Sequence, residues 1–225
     1  MLWPVPKKLT PNELILETFI CHFVFSVNIK ISDIPLALER FRKKIGSFTQ
    51  LPEMDFTRFA NVLHERHINK GEVLLKEGQV CRQFYFIFKG CIRGFSLENG
   101  REVNVKFYFE DDIASNFESF KTEEPSQFYL VAIEDCVVYF GIKTEVIPVL
   151  ESDSAFSVFA FRFFQDLYLK EEEHANSFKL LSPEERYRYL LTNQPHYLQR
   201  IPISYLASYL GMSRETLTRI RKKVS

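Results

Sequence analysis

The sequence predicts an α+β protein: an N-terminal β-roll, then one long helix, then a helical C-terminal domain built on a helix-turn-helix. Three observations carry that expectation. Between residues 66 and 142, short aromatic and β-branched runs alternate with glycine turns. From about 144 to 176 the apolar spacing becomes helical. The stretch 202–223, PISYLASYLGMSRETLTRIRKK, sets two short amphipathic segments on either side of a glycine. The expected domains are residues 1–45 (an N-terminal extension and helix), 46–145 (the β-roll), 146–176 (the long helix) and 177–225 (the helix-turn-helix domain).

At 225 residues, with 46% hydrophobic and 26% charged residues, the chain has the composition of a soluble globular protein of one large or two ordinary domains. Residues 14–29, LILETFICHFVFSVNI, are mostly apolar. A membrane span needs about 20 such residues, and this run is shorter and contains Glu17 and His22. It also lacks a small-residue cleavage site. It is expected to pack on the body or on a partner chain, with no stable membrane association, and a cytoplasmic location follows. Residues 35–45 and 52–65 read as amphipathic helices, with Phe56, Phe59, Val62 and Leu63 at helical spacing.

The strand candidates follow in order: QFYFIF, CIRGFSL, EVNVKFYF, QFYLVAI and CVVYFGI. Asn99-Gly100, between two of them, is the strongest hairpin signal in the chain. Regular strands of this length suggest an antiparallel sandwich or roll. In the long helix, Phe156, Phe159, Phe163 and Leu167 recur at steps of three and four, and Phe161, Phe164 and Tyr168 form a second face. A helix apolar on so much of its circumference is buried on two sides. One side is assigned to the β-domain. The other is assigned to a second copy of the helix across a two-fold axis, with Phe156, Phe159, Phe163 and Leu167 as the dimer set. Ser182-Pro183-Glu184-Glu185 is a helix start with a capping box.

In the C-terminal motif, Ala207 supplies a small residue where two helices cross. Gly211 allows a left-handed turn, and Leu217 anchors the second helix. Ser213 is placed to cap that helix, and Glu215 suits the positive end of its dipole. Residues 200–225 hold six Lys/Arg against one acid, an excess of five; since the chain's formal charge is zero, the other 199 residues carry minus five. The exposed face gathers Arg214, Glu215, Thr216, Thr218, Arg219, Lys222 and Lys223. Arginine can grip guanine with two bonds and glutamate can accept from cytosine, while Ser, Thr and Lys suit phosphates. Ser213 to Lys223 are therefore the candidate DNA-binding residues, with double-stranded DNA as partner.

Other chemistries fit poorly. Cys21, Cys81, Cys91 and Cys136 lack metal-binding spacing, which argues for a reducing compartment, although a Cys81–Cys91 disulfide is not excluded by spacing. None of the five histidines lies in the central strands, so a metal site of the cupin kind is not expected; His64 and His67 read as surface residues near a helix end. No phosphate-cradling glycine loop is present. No catalytic or metal-ligating residue is assigned, and the chain is read as a non-enzyme.

Over residues 45–225 the chain resembles the Crp/Fnr family of bacterial transcription factors. The resemblance rests on the KGE and EGQ turns, FYFIFKGCIRGF, AIEDC, the long helix and SRETLTRI. It implies a cyclic-nucleotide-binding-like β-roll (a double-stranded β-helix), a homodimer reading a palindromic operator, and contact with RNA polymerase. It also implies base contacts from Arg214, Glu215 and Arg219. Family members usually continue into a β-hairpin wing; the expected domain here lacks a full one. The family's cyclic AMP cassette carries a Gly-Glu pair and, about ten residues on, an Arg-Ser pair. Here these fall on Ser115-Asn116 and Ser126-Gln127. Without the arginine a buried phosphate loses its charge-assisted fork, so cyclic AMP is not expected to bind in the usual way. The loop resembles a Bacteroidetes-type pattern through Ser119, Phe120, Thr122, Pro125 and Ser126. Two readings stand for Ser115, Asn116, Ser119, Thr122, Pro125, Ser126 and Gln127: contacts to an unknown small-molecule effector, or turn caps in a pocket filled by aromatics. The alternative to a DNA-binding regulator is a ligand-free β-roll that binds a protein partner or a membrane.

Overall fold

A computed structural model describes residues 36–151 and 154–224. The apolar run at 14–29, with Cys21 and His22, lies outside the described residues. Among the described residues eight antiparallel strands form two four-stranded sheets: β1 (Leu63–Ile68), β2 (Val73–Leu75), β3 (Gln83–Lys89), β4 (Ile92–Glu98), β5 (Arg101–Tyr108), β6 (Ile113–Ala114), β7 (Tyr129–Ala132) and β8 (Cys136–Ile142). The orders are β1-β8-β3-β6 and β2-β7-β4-β5. The described helices are α1 (Leu36–Gly46), α2 (Glu53–Ala60), α3 (Phe117–Thr122), α4 (Lys143–Glu151), α5 (Ser154–Leu180), α6 (Pro183–Asn193), α7 (Pro195–Arg200), α8 (Ile203–Tyr209) and α9 (Arg214–Val224).

Asn99 and Gly100 both take positive φ, 53° and 77°, and join β4 to β5 with Glu98 opposite Arg101. That is the primed turn whose twist matches the flanking strands. Three strands escaped the sequence reading: β1, β2 and β6. β2 and β6 are only three and two residues long, and β1 is a mostly solvated edge whose LHERHI continues the helix-like spacing of α2. The helix expected over 52–65 therefore stops at Ala60, and His64 and His67 lie on β1, not at a helix end. They remain surface residues: His64 meets Glu145 at 2.8 Å and His67 meets Glu65 at 3.4 Å.

β3 is aromatic on both faces because both faces are covered. Tyr85 and Ile87 point into the roll with Ile92, Leu130 and Val138. Phe84 and Phe86 point outward into a cluster with Phe41, Phe56, Phe59, Val146, Phe156 and Phe159. Phe41 stacks on Phe86 with ring centres 4.4 Å apart, and Phe59 and Phe156 are 5.5 Å apart. Burying each such ring stabilises by about 1.5–3 kcal/mol.

This cluster claims two of the four residues assigned to the dimer set. Phe156 and Phe159 are 1% and 7% exposed, buried within their own chain. Phe163 packs half-buried beside them, and Leu167 is also half-buried. The face of α5 left open carries the second set: Phe161, Phe164 and Tyr168, at 70%, 46% and 65%. Period alone cannot say which of two apolar faces meets the chain's own β3.

A third cluster joins the roll to the C-terminal helices. Cys91, Phe107, Phe109 and Ile133 pack against Tyr187, Leu190, Tyr197, Leu206 and Leu210. Residues 37–225 form one packed unit. Cys81, Cys91 and Cys136 are free thiols and buried. Burial pushes Cys136 up to about 11 and Cys91 higher still, which removes thiolate reactivity.

Candidate nucleic-acid interface and sensor loop

α8 and α9 meet across Gly211. Its φ is 64°, and a Cβ there would lie 2.6 Å from Cε1 of Phe178 at the end of α5. The left-handed conformation calls for glycine, and a Cβ would also press the Phe178 ring aside. Arg186, 8% exposed, fastens the same turn. Its Nε donates to the Leu210 carbonyl at 3.0 Å, its Nη1 to the Leu181 carbonyl at 2.8 Å, and its guanidinium lies 4.8 Å from the Phe178 ring centre. The turn of the helix pair is therefore tied to the end of α5. Leu217 and Ile220 bury the inner face of α9.

Ser213 caps α9, its Oγ accepting from the Thr216 amide at 3.1 Å. Arg214, Glu215, Arg219 and Lys222 are exposed, and none makes a salt bridge among the described residues. Hydrogen bonding from the helix start, by its own amide and by Ser213, holds the Glu215 carboxyl below its ordinary range. The other three predicted positions are less free. Thr216 and Thr218 are half-buried, and the Thr218 hydroxyl donates to the Arg214 carbonyl at 2.8 Å. Lys223 pairs with Glu184 at 2.7 Å. The outward face is thus a guanidinium, a carboxylate, a guanidinium and an ammonium, none of them in a salt bridge among the described residues.

The sensor loop is closed in on itself. Asn116 caps α3, accepting from the Ser119 amide at 3.1 Å, and donates to Ser126 Oγ at 2.8 Å. Ser126 Oγ donates to the Phe128 carbonyl at 2.7 Å. Ser119 Oγ accepts from the Cys81 amide at 2.9 Å and donates to the Glu124 carbonyl at 2.5 Å. Ser115 Oγ donates to the Gln83 carbonyl at 3.0 Å. Thr122 Oγ1 donates to the Glu118 carbonyl at 2.9 Å, while Pro125 bridges Val80 and Gln127 is exposed. Ser115, Asn116, Ser119 and Ser126 are 2–5% exposed and bond one another or backbone, the geometry of turn caps, while Thr122, Pro125 and Gln127 are exposed. Aromatic rings fill the roll behind them. Tyr108 is buried with its hydroxyl 3.3 Å from the Ser115 carbonyl, and Phe120, Phe128 and Phe140 pack around the same core.

Two cavities lay beyond the sequence reading. One, of about 450 Å³, opens beside the loop between Leu74, Val80, Cys81, Arg82, Gln83 and Tyr85. The other, a cleft of about 890 Å³, runs between β5, α5 and α6–α8. Lys106 and Glu171 pair across it. Burial holds the Asp112 carboxyl above its ordinary range despite the Phe109 amide and nearby lysines. On its C-terminal side His174 stacks on Tyr209, ring centres 4.6 Å apart. Residues from three separated segments build this cleft, so no local pattern announces it.

Residues 65–153 match the cyclic nucleotide-binding domain family. Solved structures match over most of the chain. FixK2 from Bradyrhizobium japonicum is 19% identical, with 72% of this chain and 84% of that one covered and a TM-score of 0.60. A crp/fnr-family transcriptional regulator from Eubacterium rectale is 15% identical over 77% and 83%, with a TM-score of 0.61. The chain has the Crp/Fnr fold. The catabolite activator protein of Thermus thermophilus, 18% identical over 80% of this chain and 86% of that one, is similar at a TM-score of 0.51. No curated protein matches. No described helix is long and apolar enough to cross a membrane.

Proposed function

We propose that this Crp/Fnr-type chain is a homodimeric, sequence-specific DNA-binding transcription regulator. The observation that carries the reading is the outer face of α9. Arg214, Glu215, Arg219 and Lys222 stand exposed, with no salt bridge among the described residues, on a helix whose inner face is locked by Leu217, Ile220 and the Gly211 turn. Such a face suits base edges and phosphates of a major groove. Dimerisation is supported by the open apolar face of α5 at Phe161, Phe164 and Tyr168, and a two-fold dimer calls for a palindromic operator. Contact with RNA polymerase belongs to the same reading. The cyclic nucleotide-binding domain supports control by a small molecule. Cyclic AMP in its usual pose is not that molecule, because Ser126 stands where a phosphate needs an arginine and its hydroxyl is already bonded to Phe128.

The test begins by selecting duplexes from a random library with the wild-type protein. Arg219→Ala is expected to weaken binding to the selected duplex by about 10- to 100-fold, the worth of one bidentate base contact. Wild-type affinity is expected to fall steeply with salt. Unchanged affinity in Arg219→Ala, or no selected duplex at all, rejects the reading.

A further inference from the structure

Between the roll and the helix-turn-helix pair lies a set of polar links that the DNA-reading face does not require. Arg200, at the end of α7, forks onto two acidic turns of the roll. Its Nη1 and Nη2 reach Glu110 at 2.6 and 2.9 Å, and its Nε and Nη2 reach Glu134 at 3.0 and 2.5 Å. Its guanidinium also lies 4.9 Å from the Phe109 ring centre. Burial alone would raise the Glu110 carboxyl, but the bonds from Arg200 and the Gly90 amide outweigh it and hold it near 2. A second link is Ser208 on α8: its Oγ accepts from the Asn104 amide at 3.0 Å and donates to the Glu102 carbonyl at 3.2 Å. A third is Arg93, 5% exposed on β4. Its guanidinium lies between Phe95 at 4.1 Å and Tyr205 at 3.9 Å and bonds Asn104 and Glu102. Arg93 Nε and Asn104 Nδ2 are buried with no partner, a cost that an interface selected for stability alone would replace with apolar packing.

These links leave the α9 face open, so they do not block DNA. What they fix is position. Without them the helix pair is held by Phe178 and Arg186 at the end of α5 and by apolar contacts with Phe107, which are not directional. With them it is referenced to the roll as well, and one orientation remains. We infer that the Arg200 fork on Glu110 and Glu134 is a positioning latch that sets the half-site spacing a dimer of this chain reads. A planar guanidinium suits the task because it holds two carboxylates in fixed directions, which an ammonium cannot. The inference rests on the DNA-binding reading above and adds to it a determinant of operator geometry.

The experiment uses the full chain and the duplex selected by the wild type, remade with half-site separations one and two base pairs shorter and longer. The wild type is expected to prefer its own spacing by about tenfold or more, since a rigid reference concentrates the second half-site contact at one distance. Arg200→Glu and the milder Glu134→Gln are expected to flatten that preference to within about threefold, while thermal unfolding stays cooperative. The double variant Arg200→Glu/Glu134→Arg is expected to restore it. Amide exchange at Asn104, protected here by Ser208, is expected to rise in the single variants and return in the double. Unchanged spacing preference and exchange in both single variants overturn the latch. Exchange that rises with the spacing preference unchanged also overturns it, since docking would then not set geometry. If the wild type selects no duplex, the DNA reading fails and the spacing claim with it; exchange at Asn104 still reports separately whether Arg200 holds the helices on the roll.

Discussion

At Gly90 the chain turns from β3 into β4 with φ at 103°, and a Cβ would lie 2.6 Å from Cys136 Sγ and 2.7 Å from the Asp135 carbonyl. Neither neighbour retreats easily, because one is backbone just before β8 and the other a buried thiol at its first residue. Gly90→Ala therefore combines a left-handed penalty with overpacking and is expected to destabilise by about 3 kcal/mol. Denaturant unfolding checks this; a loss under about 1 kcal/mol would mean the turn relaxes freely. Gly211 was legible as a turn residue from its place between two amphipathic segments. Gly90 was legible only as a turn, and its contact with Cys136 was not, because the partner lies 46 residues on. The hydroxyls of the sensor loop teach the same lesson. Their residue types fit either a ligand or a set of caps, and only the neighbouring carbonyls of Gln83, Glu124 and Phe128 decide where each proton goes.

The long helix α5 shows what periodicity can and cannot say about an element. Its two apolar faces were evident from the spacing, and so was the need to bury both. Which face meets the chain's own core depends on α1, α2 and β3, which supply Phe41, Phe59, Phe84 and Phe86. Two substitutions separate the faces. Phe156→Ala is expected to cost about 3–5 kcal/mol of stability, the price of a cavity in an aromatic core, with self-association retained. Phe161→Glu is expected to leave stability nearly unchanged and to weaken the proposed dimer by about 100-fold or more, because it places a charge on the open face. Sedimentation across a concentration series measures the second. A Phe161→Glu protein that still sediments as a dimer would move the interface elsewhere.

The whole molecule is held together across its parts by rings as well as by the Arg200 fork. His174 on α5 stacks on Tyr209 of α8 and meets Phe178 edge-on at 5.1 Å. Burial lowers the His174 pKa from 6.5; Glu171 opposes the shift, and Lys106 on β5 and Arg186 on α6 add to it. The folded molecule thus takes up a proton here less readily than the unfolded chain does. The stability this group supports is full above 6.5 and declines as pH falls through 6.5 toward the lowered folded value. Relative to His174→Phe, the wild type is expected to lose thermal stability between about pH 7 and pH 5.5. Parallel pH profiles for the two proteins would show that the ring takes up its proton as readily in the folded molecule as in the unfolded chain.

By itself the sequence determined the α+β class, the Asn99-Gly100 hairpin, strands β3, β4, β5, β7 and β8, the capped α6 and the glycine-centred helix pair. Each of these is written within a dozen or so neighbouring residues, through periodicity, φ demands or capping chemistry. Tertiary structure alone decided the face of α5 turned to the core, the closure of the sensor loop, the cleft beside His174 and the seating of the helix pair on the roll. Those depend on which distant carboxylate, carbonyl or ring arrives opposite a given side chain, as when Arg200 meets Glu110 across 90 residues. Local spacing carries no record of such meetings.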